Sequence, residues 1–270
     1  MIPGLSSFTE AAILAALDDS VTILGRADYD QGNYMLYSGR DAEALALGVD
    51  HTGGPELMVV VTDPVRPVGL IRIQTAAAGS LLFIDNRDWD GTLNANIRIL
   101  GRETALIFSD IGRGGYVALN DVFLRSHRQF LFWGQGATAV GCSIEVEGEG
   151  QGVAIGDDAL ISNGVWVRNY DMHALTDLRT GAHIGRKPAT TVLERHVWLG
   201  QDALLLGCER IGAGAVIGAR SLVRGRVPPA VVAAGTPARV LREAVSWGRD
   251  TYAMTIEERL ALGLPALPED

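Results

Sequence analysis

The chain has 270 residues, 47% of them hydrophobic and 20% charged, with a formal charge of −9. That apolar content excludes wholesale disorder, and the acidic balance argues against a general nucleic-acid or anionic-membrane coat. Glycine reaches about 12% of the chain against a usual ~7%, which points to many tight corners, and Cys142 and Cys208 are too few for a disulfide scaffold.

In chain order, the segment Met1 to Glu10 lacks the charged start and apolar run of a leader, and no stretch approaches the ~18 apolar residues of a membrane span. A cytoplasmic protein without membrane insertion is expected. Ser7 and Glu10 have capping-box spacing ahead of Ala11 to Leu17, which predicts a short helix. Strand-like runs follow at Met58 to Val61 and Val68 to Ile73. Residues 1–80 are therefore expected as an N-terminal capping region of mixed helix and strands. Alternating pieces at Ile97/Ile99, Ala105/Ile107, Val117/Leu119, Leu124 and Phe130/Phe132 predict further short strands separated by turns.

From residue 155 a period of six emerges. Aliphatic rungs stand at Ile155, Ile161 and Val167, then at Leu193, Leu199, Leu205, Ile211, Ile217 and Val223. Four places after a rung the residue is usually small or β-branched, as at Ala159, Val197, Ala203 and Ala215, with Glu209 the exception. Gly156, Gly200, Gly212 and Gly218 directly follow rungs, where a corner would need a residue without a Cβ. A helix cannot supply this pattern, because steps of six do not share a face at ~3.6 residues per turn. Short strands can: three hexads close a triangular coil, rungs point inward, and stacked coils pair backbone groups between neighbours. The expected fold is all-β, a parallel β-helix over 81–242, followed by a tail over 243–270. In that tail Thr255 and Glu258 predict a short helix around Ile256 to Leu262.

The ladder breaks once. Its next rung after Val167 would be His173, but it restarts at Leu193, so an insertion interrupts the coil. The insertion holds Asp171, His173, Asp177, His183 and Lys187, a set that fits either a catalytic loop on a rigid scaffold or a solvated surface loop. From Ile211 through Arg242 there is no acid, yet Arg220, Arg224, Arg226, Arg239 and Arg242 are all present. Arginines on successive coils suit a phosphate-bearing ligand, or pair with acids elsewhere. Cys142 and Cys208 are expected as packing residues, which disfavours covalent catalysis.

The motifs IGDDALIS (Ile155 to Ser162), YDMHALTD (Tyr170 to Asp177), HVWLG (His196 to Gly200), IGARSLV (Ile217 to Val223) and AAGTPARVLRE (Ala233 to Glu243) together resemble the hexapeptide-repeat acyltransferases. The resemblance is to the branch that O-acetylates capsular, lipopolysaccharide and other bacterial sugars. It implies a left-handed coil, which period alone does not choose, since parallel crossovers are otherwise right-handed. It further implies acetyl-CoA as donor, a sugar or glycan acceptor, no metal, and a homotrimer with active sites between subunits. The D-x-H motif falls on Asp171 and His173, making His173 the catalytic base, with Asp171 or Asp177 to orient it; the tryptophan bordering the reaction centre falls on Trp198. Cofactor contacts fall on Gln201, Ala219, Arg224, Gly225, Arg239 and Arg242, although Arg224-Gly225 stands where relatives carry Thr-Lys. Chemistry agrees, because an imidazole of unperturbed pKa ~6.5 suits proton removal from a hydroxyl. Three rivals remain: an N-acetyltransferase acting on an amino or nucleotide sugar, a noncatalytic assembly scaffold, and a zinc carbonic-anhydrase-like enzyme using His173, His183 and His196.

Overall fold

The structure, a computed structural model, describes residues 35–54, 57–109, 111 and 115–265. The helix expected at Ala11 to Leu17 lies outside them. Among the described residues, twenty strands form one continuous system, almost all paired in parallel, and the apolar rungs fill its axis. All six rungs from Leu193 to Val223 are at most 1% exposed, as are Ile155, Ile161 and Val167. Three parallel ladders make three faces. The first stacks Leu160–Ile161, Trp198–Leu199, Val216–Ile217 and Val231–Gly235. The second stacks Val165–Arg168 on Leu204–Ile211 and Leu222–Val227, and the third stacks Gly152–Ile155 on Thr191–Leu193.

Register explains where the hexad is visible and where it is not. Leu193 pairs Ile211 and Leu199 pairs Ile217, so a complete coil in the C-terminal half takes 18 positions, three hexads. In the N-terminal half Ile73 pairs Ile97 and Leu82 pairs Leu106, a coil of 24 positions, which hides the six-residue rhythm. The parallel ladder nonetheless reaches back to Val49–Gly53, paired with Gly69–Thr75, and to Leu57–Val61, paired with Ser80–Ile84. The column thus begins well before residue 81, where the sequence places its boundary. Val59, Val61, Ile71 and Ile73 are buried in the same aliphatic axis. At that end the strand Met35–Ser38 pairs antiparallel with Leu57–Val61, and a five-residue helix, Ala42–Ala46, buries Ala44. At the other end Ala238–Glu243 turns back antiparallel on Val231–Gly235. The helix Ile256–Ala261 follows, its capping box formed by Thr255 and Glu258.

The corner glycines are required for a different reason than a turn. A Cβ on Gly212 would lie 2.4 Å from the Pro229 nitrogen, and one on Gly200 2.7 Å from the Ala219 nitrogen, so these positions are small because the next coil passes against them. The left-handed corner residue comes two places later and is often not glycine: Asp158, His196, Asp202 and Arg220 all have φ between 56° and 58°. The bulge at Glu209 is accommodated by a register shift that turns Cys208 inward instead.

Because each rung sits between two others, Leu205→Ala is expected to destabilise the protein by about 2–5 kcal/mol. Gly212→Ala should also lower the urea midpoint, because its new methyl meets backbone that cannot rotate away. Urea melts followed by circular dichroism read both.

Candidate active site

The coil from Ile155 to Leu193 takes 38 positions instead of 18, and the extra chain leaves at the corner between the second and third faces, after Val165–Arg168. Polar contacts fold this excursion back on the column. The Asp171 carboxylate accepts from the Arg186 backbone N–H at 3.1 Å and pairs with the Arg224 guanidinium at 3.3 Å. Arg186 in turn donates to the Gly207 carbonyl at 2.9 Å. Asp177 caps its own turn, accepting from the backbone N–H groups of Arg179 at 2.8 Å and Thr180 at 3.2 Å, and those bonds with the Arg179 guanidinium hold its carboxyl below the usual range. Thr176 and His183 form the bridge of a small hairpin.

Between this loop and the corner lies a cleft of about 300 Å³ lined by Tyr170, Asp171, His173, His183, Arg186 and Lys187. A second cleft of about 280 Å³ adjoins it, shares Arg186 and Lys187, and runs down the corner past Gly207 to Gly225. His173 is exposed at the first cleft. Both candidate orienting carboxylates are engaged in shaping the loop. Their hydrogen bonds go to Arg186, Arg224, Arg179 and Thr180.

The remaining candidates sit elsewhere on the prism. Trp198 is on the first face, 36% exposed, its indole N–H donating to Ser162 Oγ at 3.3 Å. Gln201 and Ala219 occupy the corner that follows, where the Arg220 N–H donates to the Gln201 carbonyl at 2.8 Å. Arg239 and Arg242 are exposed on the strand that turns back along the same first face. Of the five arginines, Arg224 pairs with Asp171, Arg226 with Glu209 at 3.1 Å and Arg220 with Asp202 at 3.5 Å, so part of the cluster meets acids of the chain itself. The structure brings Asp171, His173, Arg224 and Gly225 to one corner and sets Trp198, Gln201, Ala219, Arg239 and Arg242 on another side of the column.

Sequence inspection missed a second polar centre. His196, fully buried at a left-handed corner, faces Asp158 Oδ2 with Nδ1 at 2.6 Å and the Trp247 carbonyl with Nε2 at 2.7 Å. Burial alone would raise the Asp158 carboxyl, but the His196 hydrogen bond and the Arg249 guanidinium bring it below the ordinary range. Arg249 Nε donates to Asp158 Oδ1 at 2.6 Å, and the Arg249 backbone N–H donates to Glu258. His196 and Asp158 lie inside the quoted motifs, but Trp247 and Arg249 come too late in the chain for any local pattern to join them. Ligand atoms of Asp158, His196 and Glu258 lie within 4.8 Å of one another. Both imidazole nitrogens already face oxygens of the chain itself, Asp158 Oδ2 and the Trp247 carbonyl, and Asp158 is also held by Arg249, so the cluster is a hydrogen-bonded network closed within the chain. His173 and His183 stand on the distant loop, and among the described residues no three imidazoles converge. Cys142 and Cys208 are buried, and burial pushes both thiols up to about 12, which leaves them protonated and unreactive.

No protein-family model matches the chain. Galactoside O-acetyltransferase of Escherichia coli (strain K12) is 39% identical over 93 residues, 34% of this chain and 44% of that protein. Polysialic acid O-acetyltransferase of Neisseria meningitidis is 29% identical over 166 residues, 61% of this chain and 74% of that protein. The chain spans about half or less of the length of the curated relatives it matches first. Among solved structures, the polySia-specific acetyltransferase NeuO superposes with a TM-score of 0.56 at 21% identity, over 79% of this chain and 94% of that one. The polysialic acid O-acetyltransferase OatWY superposes with a TM-score of 0.53 at 20% identity. These likenesses establish the fold, a left-handed parallel β-helix. Among the described residues, no helix is long and apolar enough to cross a membrane.

Asp158 has a depressed folded-state pKa, so its stabilising contribution is full above the ordinary carboxylate pKa of ~3.9 and disappears as pH falls through the lower folded value. Wild type should therefore exceed Asp158→Asn in stability at pH 6, and the two should converge as pH falls below about 4. Thermal melts across pH 2–7 check this.

Proposed function

We propose that this chain, whose hexads, motifs and coil resemble the hexapeptide-repeat sugar O-acetyltransferases, transfers an acetyl group from acetyl-CoA to a hydroxyl of a sugar or glycan. The observation that carries the reading is the excursion of the chain out of the column between Val165–Arg168 and Thr191–Leu193, with His173 at a cleft walled by Arg186, Lys187 and Asp171. A sugar hydroxyl is a poor nucleophile until its proton is taken, and in this reading His173, exposed at the cleft, is the base that takes it. The hydroxyl oxygen attacks the thioester carbonyl, and the bond to sulfur breaks as the tetrahedral oxyanion collapses. The proton held by His173 then passes to the departing CoA thiolate, so acetyl moves directly between bound substrates. Trp198 borders the reacting centre, and Gln201, Ala219, Arg224, Gly225, Arg239 and Arg242 hold the donor, the arginines answering its phosphates. Asp171 and Asp177 act by shaping the loop that carries His173. A cytoplasmic location follows from the donor.

The assembly we propose is a homotrimer. His173 leaves the corner between the second and third faces, while Trp198 stands on the first, so one chain carries two half-sites that face outward in different directions. Threefold packing lets the loop of one protomer lie against the Trp198 face of the next, and each interface then holds one complete site.

Release of CoA over a panel of glycan fragments, activated sugars and amino sugars, with mass spectrometry of the product, tests the reaction; an amine-linked acetyl product would replace O-transfer by N-transfer. His173→Ala should lower kcat by about 10²–10⁴-fold while CoA affinity by calorimetry holds, and unchanged turnover removes His173 from the mechanism. Mixing inactive His173→Ala with inactive Trp198→Ala subunits should restore part of the activity, because some interfaces regain both wild-type halves. No recovery after subunit exchange is the result that contradicts the shared site. Arg239→Glu should weaken CoA binding more than it slows the bound-state reaction.

A further inference from the structure

We infer that Trp247 is a positioning residue for Trp198, locked against the column by a clasp of His196, Asp158 and Arg249; its bearing on catalysis rests on the role proposed above for Trp198. Trp247 is buried, and its ring stacks on the His196 imidazole with centroids 4.2 Å apart and planes within 5°. Its indole N–H donates to the His196 carbonyl at 2.8 Å, and its own carbonyl faces His196 Nε2 at 2.7 Å. Three contacts thus fix Trp247 on a residue two places before Trp198. The Trp198 ring lies 6.0 Å from the Trp247 ring at 52°, a tilted pair within the range of favourable aromatic geometry.

Trp198 needs such a support. It stands on a strand of two residues, over a third exposed, and its polar anchor is the 3.3 Å bond to Ser162. The segment carrying Trp247 is correspondingly immobilised. Besides Asp158 Oδ1, the Arg249 guanidinium donates to the Gly136 carbonyl at 3.1 Å, the Ala159 carbonyl at 3.3 Å and Thr138 Oγ1 at 3.3 Å. Glu258 holds the Arg249 backbone N–H at 2.7 Å while also capping the terminal helix. These bonds pin the chain two residues beyond Trp247 to two successive coil corners, and so hold in place the ring that packs against the Trp198 indole.

The test uses the full chain labelled with 5-fluorotryptophan, the Trp198 resonance being assigned with Trp198→Phe. Trp247→Ala should shift that resonance and lower kcat on the order of 10-fold or more, with KM for acetyl-CoA changed by less than about threefold. Trp247→Phe keeps a stacking ring and should stay near wild type in both. Should Trp247→Ala fail to fold, Arg249→Ala opens the clasp and is expected to move the same resonance. A Trp198 resonance unmoved in either folded variant overturns the inference, as does Trp247→Phe being as impaired as Trp247→Ala. The fluorine measurement needs no acceptor, so a protein that transfers no acetyl group at all would defeat the proposed function while leaving the buttress to be judged on the resonance alone.

Discussion

The whole molecule depends on one constraint: an aliphatic side chain must return to the same axis each time the chain completes a flat segment and a corner. Leu193, Leu199 and Leu205 satisfy it on three successive faces of one coil, and Ile211, Ile217 and Val223 repeat it one coil further on. Burial of that column is the driving force, while parallel pairing satisfies the backbone groups that burial would otherwise orphan. Corners then follow from crowding, with glycine where the next coil presses and a left-handed residue two positions on.

Legibility in the sequence tracked this constraint. Where a coil takes 18 positions the rungs are plain, and the interruption at His173 is visible as a phase error. Where a coil takes 24 positions, Val59, Val61, Ile71 and Ile73 alternate as ordinary strand residues do, and nothing local distinguishes a coil from a cap. The boundary at residue 81 therefore falls inside a column that, among the described residues, reaches back to Val49. The Thr255 and Glu258 signal held because a capping box is a contact between near neighbours.

Site chemistry was legible only in part for the same reason. His173, Asp171 and Lys187 share one loop, so a local cluster marked them. That Asp171 grips Arg224, 53 positions away, and that His196 meets Trp247, 51 positions away, depend on which corners stack, which no short window contains. The separation of His173 from Trp198 is likewise a property of the prism: residues 25 positions apart face different directions once the chain turns its corners.

The excursion that carries His173 also leaves no trace in the column. Ile155 meets Leu193, and Leu193 meets Ile211, in the same in-phase register, although one step spans 38 positions and the other 18. The hydrophobic axis is blind to how much chain is spooled outside it, since lengthening a surface excursion adds closure entropy only logarithmically. An excursion at this corner can consequently be lengthened, shortened or rewritten while the aliphatic axis keeps its phase, with only local ties such as Asp171 to Arg224 at stake.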